Sequence, residues 1–228
     1  MIEDKKEFFG GLGMLVGFIV ILILVFTPLF KGQNGLEYLD DLYNSISKGS
    51  AYYIPKVKNQ VETFAGKSIS AAVEMADENQ AQQAAVLFMK GGALVNVSGT
   101  RLKIEGSLAE ILGNCLADAD HIYFNDGEAV AAKYGYNERQ VLLNWWQVLK
   151  ALSKDLTNQK QFQAAKVVEA VVTKALEPAY NYYQIEPQKI SDRGGVVFFS
   201  LVFYVVYTLW YGFAIMFMFE GWGMKLKH

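Results

Sequence analysis

The sequence predicts an all-α membrane protein: two transmembrane helices flanking an extramembrane up-down four-helix bundle, with a small β-hairpin at the bundle's membrane-distal tip. Three observations lead to that class. Two runs, Phe8–Phe30 and Gly194–Phe219, contain no Asp, Glu, Lys, Arg or His, and at about 1.5 Å per residue either one crosses a hydrocarbon core of roughly 30 Å. The segment between them, Lys31 to Arg193, is polar and long enough for one domain with its own core. Within that segment apolar residues recur mostly at helical spacing, with one stretch of alternating period.

Composition narrows what the chain can do. The 21 Lys and Arg and 23 Asp and Glu are mixed along the sequence and leave a net charge of −2, so there is no basic stripe for nucleic acid. A single cysteine, Cys115, excludes an intrachain disulfide and any Cys-based zinc or iron–sulfur site built by this chain alone.

Residues 1–7 read as a short cytoplasmic tail. The run 8–30 reads as a retained transmembrane helix, because its leader is more acidic than basic (Glu3, Asp4 and Glu7 against Lys5 and Lys6) and its exit, Thr27-Pro28-Leu29-Phe30, lacks a small-x-small cleavage site. Gly10, Gly13 and Gly17 fall at i, i+3 and i+7, which predicts a face that another helix can approach closely.

An extracytoplasmic domain then spans 31–193. Leu36, Leu39, Leu42, Tyr43 and Ile46 set a neck helix over 35–48. Pro55 opens a long helix over 55–90, carried by Val57, Val61, Phe64, Ala71, Ala72, Met75, Ala85 and Phe88 and closed by Gly91-Gly92. Around Gly99-Thr100 the period switches to two, predicting a hairpin over 94–105. Ser107 and Glu110 form a capping box for a helix over 107–134, with Gly127 a candidate break. Gly135 ends it, and Asn137 opens a helix over 137–156. The last helix covers 159–185, with Pro178 a candidate kink. Four helices joined by short turns return the chain to the membrane it left.

The run 194–219 is the second transmembrane helix, and 220–228 a second cytoplasmic tail. Ser200, Tyr204, Tyr207 and Tyr211 follow one face of this helix. Hydroxyls in hydrocarbon need partners, so this seam is expected to face protein, either the first transmembrane helix or another subunit.

Chemistry is sparse. Asp118, His121, Asn125 and Glu128 recur at i, i+3, i+7 and i+10, but a two-metal carboxylate bundle needs a histidine on each of two helices and the domain has one. These four are expected to form a solvated polar face. Cys115 is expected as a small buried hydrophobe, and one of Trp145 and Trp146 in the core. The sequence assigns no catalytic residue, no metal ligand and no cofactor.

Two anchors joined by a four-helix domain resemble, in layout, the bacterial chemoreceptor-type sensors, but only nine residues follow Phe219 and they hold no signalling helix. The expected function is therefore that of a non-enzymatic membrane-anchored accessory or scaffold subunit of a membrane protein complex. It would dock a partner through its extracytoplasmic helical domain and aromatic transmembrane seam. The alternative is an extracytoplasmic ligand-binding sensor module signalling through a separate partner. Expected partners are the lipid bilayer and either another membrane protein subunit or a second copy, with no nucleic acid. The expected location is the bacterial inner membrane, with the central domain outside the cytoplasm.

Overall fold

The computed structural model describes residues 2–224. It is mostly helical and divides into two compact units: the described residues up to Ile46 together with those from Gln188 onward, and residues 47–187. Lys225 and Lys227 of the expected second tail lie outside the described residues.

The first unit is built on α1 (Lys5–Phe26) and α10 (Ile190–Gly221), both long and apolar enough to cross a membrane. Asp4 starts α1 by accepting the backbone N–H groups of Lys6 and Glu7 at 2.8 and 3.2 Å, which satisfies donors that a helix start leaves unpaired. The helix stops at Phe26 rather than Phe30, because Pro28 forces the preceding Thr27 into an extended conformation.

Asn34 then accepts the backbone N–H groups of Leu36 and Glu37, while the Glu37 carboxylate accepts that of Asn34. This reciprocal cap opens the neck helix α2 (Gly35–Ser50). Tyr43 and Ser200 share a hydroxyl–hydroxyl hydrogen bond of 2.6 Å, and Gln188 donates its backbone N–H to the Ser45 carbonyl, so α2 is fastened to the start of α10.

The second unit departs from four sequential helices. Pro55 sits in the first turn of α3 (Ile54–Glu62), but the expected helix 55–90 is three elements: α3, strand β1 (Ser68–Glu74) and α4 (Glu78–Lys90). The chain turns at Gly66, whose φ of +75° favours glycine. In Ser68-Ile69-Ser70-Ala71-Ala72-Val73-Glu74 the odd-numbered residues are buried and the even-numbered ones exposed, the period of a strand with one covered face. Asp77 then accepts the Gln80 N–H at 2.8 Å and opens α4.

The expected hairpin is present as β2 (Leu94–Ser98) and β3 (Arg101–Ser107), but it is not a free tip. β1 pairs antiparallel with the other side of β3, giving a three-stranded sheet of order β1-β3-β2. The third strand supplies what a lone hairpin lacks.

The expected helix 107–134 divides into α5 (Leu108–Tyr123) and α6 (Gly127–Tyr134), because Asn125 adopts a left-handed φ of +63° between them. Gly135 closes α6 in the left-handed conformation, and Asn137 caps α7 (Glu138–Asn158). The expected helix 159–185 is α8 (Phe162–Val171), a π-helical turn over Val172–Leu176 and the short α9 (Glu177–Asn181), with Pro178 in the first turn of α9.

The core lies between the inner face of the sheet (Ile69, Val73, Leu102 and Ile104), α5 (Ile111, Leu112, Cys115 and Ile122) and α7 (Trp145, Leu149 and Leu152), all buried. The outer edge of β1 is covered by side chains of α7 and of its C-cap, Gln159. Asp155 accepts the Ala72 N–H at 3.1 Å, and Gln159 donates to the Ser70 carbonyl at 3.0 Å.

Candidate functional site

In α1, the buried and half-buried residues include the series Gly11, Met14, Phe18, Ile21 and Val25. In α10 they include the series Ser200, Phe203, Tyr207, Trp210, Ala214, Phe217 and Gly221. Both series alternate steps of three and four, the period of a coiled-coil seam. The helices run antiparallel. Gly221 accepts the backbone N–H groups of Glu3 and Asp4 at 3.0 and 3.1 Å, Trp210 donates its indole N–H to the Met14 carbonyl at 3.0 Å, and Tyr207 donates its hydroxyl to the Phe18 carbonyl at 3.0 Å. The Phe18 and Tyr207 rings stack with centroids 4.1 Å apart.

Two glycines set how closely the helices approach. A Cβ on Gly11 would stand 2.7 Å from both the Ala214 carbonyl oxygen and the Met218 nitrogen. One on Gly221 would stand 2.7 Å from the Phe8 Cα. Gly11 was not among the glycines singled out by spacing. Of those three, a Cβ on Gly17 would meet the Trp210 ring at 3.1 Å, whereas one on Gly10 or Gly13 would meet nothing within 4 Å beyond its chain neighbours and its own helix backbone. Within the pair, the close approaches on α1 are therefore at Gly11 and Gly17, and Gly10 and Gly13 make none with α10 among the described residues.

The tyrosine face divides in the same way. Ser200 and Tyr207 lie on the seam. Tyr204 and Tyr211 turn outward, with 69% and 46% of their surface exposed. The Tyr211 ring still touches Phe18, centroid to centroid at 5.1 Å. Among the described residues, neither the Tyr204 nor the Tyr211 hydroxyl has a hydrogen-bond partner, whereas Thr208 is satisfied by the Tyr204 carbonyl at 2.7 Å. Tyr204, Thr208 and Tyr211 form an aromatic, hydroxyl-bearing ridge on the outside of the pair.

In the second unit the residues considered for a metal site belong to separate networks. Asp118 is 1% exposed. It accepts the Lys133 ammonium at 2.6 Å, the Tyr134 hydroxyl at 2.6 Å and the Trp145 indole N–H at 2.9 Å, so all its strong donors come from the chain itself. Burial, reinforced by the Asp118 charge, pushes the Tyr134 hydroxyl far above its ordinary range. His121 lies on the surface and pairs with Asp126 at 2.7 Å.

Asn125 instead holds Lys48. That lysine is 2% exposed and donates to the Asn125 side-chain oxygen at 3.0 Å and to the Ile185 carbonyl at 2.6 Å. Burial pulls its amine below the ordinary lysine range, with Glu186 opposing. Cys115 is fully buried, and burial raises its thiol well above the ordinary value.

Trp145 is the core tryptophan, and Trp146 faces the surface. Trp146 donates its indole N–H to Glu177 at 3.0 Å across a groove of about 360 Å³ between α7 and the π-turn with α9.

Comparison of the chain with protein-family models, with curated proteins and with solved structures finds no match.

Proposed function

We infer that this chain is a non-enzymatic membrane-anchored accessory or scaffold subunit. α1 and α10 cross a bilayer as one antiparallel pair, and the 47–187 unit lies outside the cytoplasm, where it docks a partner protein. One observation carries the reading: the unpartnered hydroxyls of Tyr204 and Tyr211 on the outer face of α10. Tyr211 packs against Phe18, near the middle of α1, so its hydroxyl sits closer to the centre of the span than to either end. Half of a 30 Å core is more than a tyrosine side chain can reach across, and a hydroxyl left unpaired in hydrocarbon costs roughly 2–7 kcal/mol. A helix of another chain that accepts these hydrogen bonds removes that cost.

The test is purification from native membranes in a mild detergent, with identification of chains recovered in fixed ratio. The wild type is expected to bring a partner chain with it, and Tyr204→Phe with Tyr211→Phe together to lose it. A wild-type chain recovered alone from every mild detergent contradicts the reading. The second reading, a ligand-binding sensor module, draws on the groove at Trp146.

A further inference from the structure

We propose that the groove beside Trp146 is a binding site for an organic cation with an apolar body, the class that includes aralkylammonium compounds. The proposal concerns the 47–187 unit alone and does not depend on the membrane subunit reading.

The groove is lined by Leu142, Leu143 and Leu176, of which Leu142 and Leu176 are buried, by the aromatic side chains of Trp146 and Tyr180, and by Asn181 and the Glu177 carboxylate. Its size suits a small molecule, and apolar walls with few polar groups are the usual composition of such sites. Both aromatic residues are more than a third exposed although they border a buried core. An indole face and a phenol face attract cations through their negative π surface. Both rings already attract cations of the chain: the Lys150 ammonium stands 5.9 Å from the Trp146 ring and the Arg139 guanidinium 5.8 Å from that of Tyr180.

Charge selects the ligand. Lys150 is taken up by Glu169 at 3.1 Å. Arg139 lies over Tyr180 and Tyr183, and the Tyr183 hydroxyl donates to Glu138. Glu177 accepts the Trp146 N–H with one oxygen, and among the described residues no cation pairs with its carboxylate. Its other oxygen is left for a ligand ammonium, which would gain a charge-assisted hydrogen bond.

The backbone is shaped to this arrangement. The π-turn over Val172–Leu176 immediately precedes Glu177. One extra residue in a turn rotates everything after it by about 100° relative to a regular helix. It is this offset that presents Leu176, Glu177 and Tyr180 together to Leu142 and Trp146. Regular α-helix through the same stretch would swing Glu177 away from the indole.

The experiment is calorimetric titration of the full chain in detergent micelles with phenethylammonium, and with 2-phenylethanol as a neutral ligand of the same body, each corrected with empty micelles. Saturable one-to-one binding of phenethylammonium is expected. Binding of the alcohol should be at least about tenfold weaker, the scale of one hydrogen bond to a charged group. Glu177→Gln should erase the difference between the two ligands, and Trp146→Leu should weaken both. Absence of saturable phenethylammonium binding, equal binding of alcohol and ammonium by the wild type, or undiminished ammonium binding by Glu177→Gln overturns the proposal. The two-ligand comparison on the wild type remains decisive even if a substitution disturbs folding.

Discussion

Substituting Gly11 by alanine adds one methyl group at the tightest point between α1 and α10. The added carbon would stand 2.7 Å from the Ala214 oxygen and the Met218 nitrogen, both backbone atoms that cannot swing aside, and 2.9 Å from the Met218 Cγ. The helices must separate or shift. Overpacking of this kind costs about 1–3 kcal/mol. Separation also stretches the Trp210–Met14 and Tyr207–Phe18 hydrogen bonds, worth about 0.6 kcal/mol each in a membrane, so the loss comes to about 2–4 kcal/mol. Gly13→Ala is the matched control, since nothing lies within 4 Å of its added carbon, and it is expected to be neutral or slightly stabilising. The assay is equilibrium denaturation by SDS in mixed micelles, read by energy transfer between labels on α1 and α10. Equal midpoints for the two variants, or a larger loss at Gly13, would refute the seam described here.

Asp118→Ala strands the Trp145 N–H in the core and removes the carboxylate from Lys133. A loss of about 3 kcal/mol is expected on the scale of broken buried pairs, visible as a lower urea midpoint in near-ultraviolet circular dichroism, with Asp118→Asn losing less. The fold should also weaken in alkali. Tyr52 is raised from 10.0 to about 12, by burial and then by its hydrogen bond to Asp120, and burial also raises Tyr134, Tyr136 and Tyr183. A tyrosine whose folded pKa exceeds its unfolded one contributes stability that is complete below pH 10 and is lost as pH rises toward the folded value. Melting temperature should therefore fall from about pH 10 to 12, and Tyr134→Phe should flatten the slope; Lys48, shifted the other way, opposes part of the fall below 10.5. Asp155→Ala uncovers the edge of β1 at Ala72 and should cost about 1 kcal/mol, with faster amide exchange at Ala72 as the site-specific readout.

Where the sequence was legible, one local signal dominated. Pro55, Ser107, Gly135 and Asn137 each act at the helix end their chemistry implies, and the Gly99-Thr100 turn sits between strands whose alternation is clean. Ser68–Glu74 was misread because its alanines at 71 and 72 satisfy a helical period as well as a strand period. What decides the matter is pairing with β3, more than thirty residues later in sequence, where Ala71 meets Ile104 and Ala72 meets Lys103. The helix seam was hidden for a different reason. In an almost wholly apolar helix the 3-4 series through Gly11 does not stand out by polarity, whereas the spacing of Gly10, Gly13 and Gly17 does. Only the partner helix distinguishes Gly11 from its neighbours. The groove at Trp146 depends on the π-turn, whose one-residue offset leaves no mark in the pattern of Val172-Thr173-Lys174-Ala175-Leu176.

The subunit reading is tested most directly by photo-crosslinking in native membranes, with a benzophenone amino acid placed in turn at positions 204, 207 and 211. Position 207 should crosslink within the chain, onto α1 near Phe18. Position 204, and position 211 in addition to its contact with Phe18, should crosslink to one discrete second protein chain, recovered as a single higher-mass band and identified by mass spectrometry. Crosslinks from 204 and 211 to lipid alone, with no second chain, would contradict it.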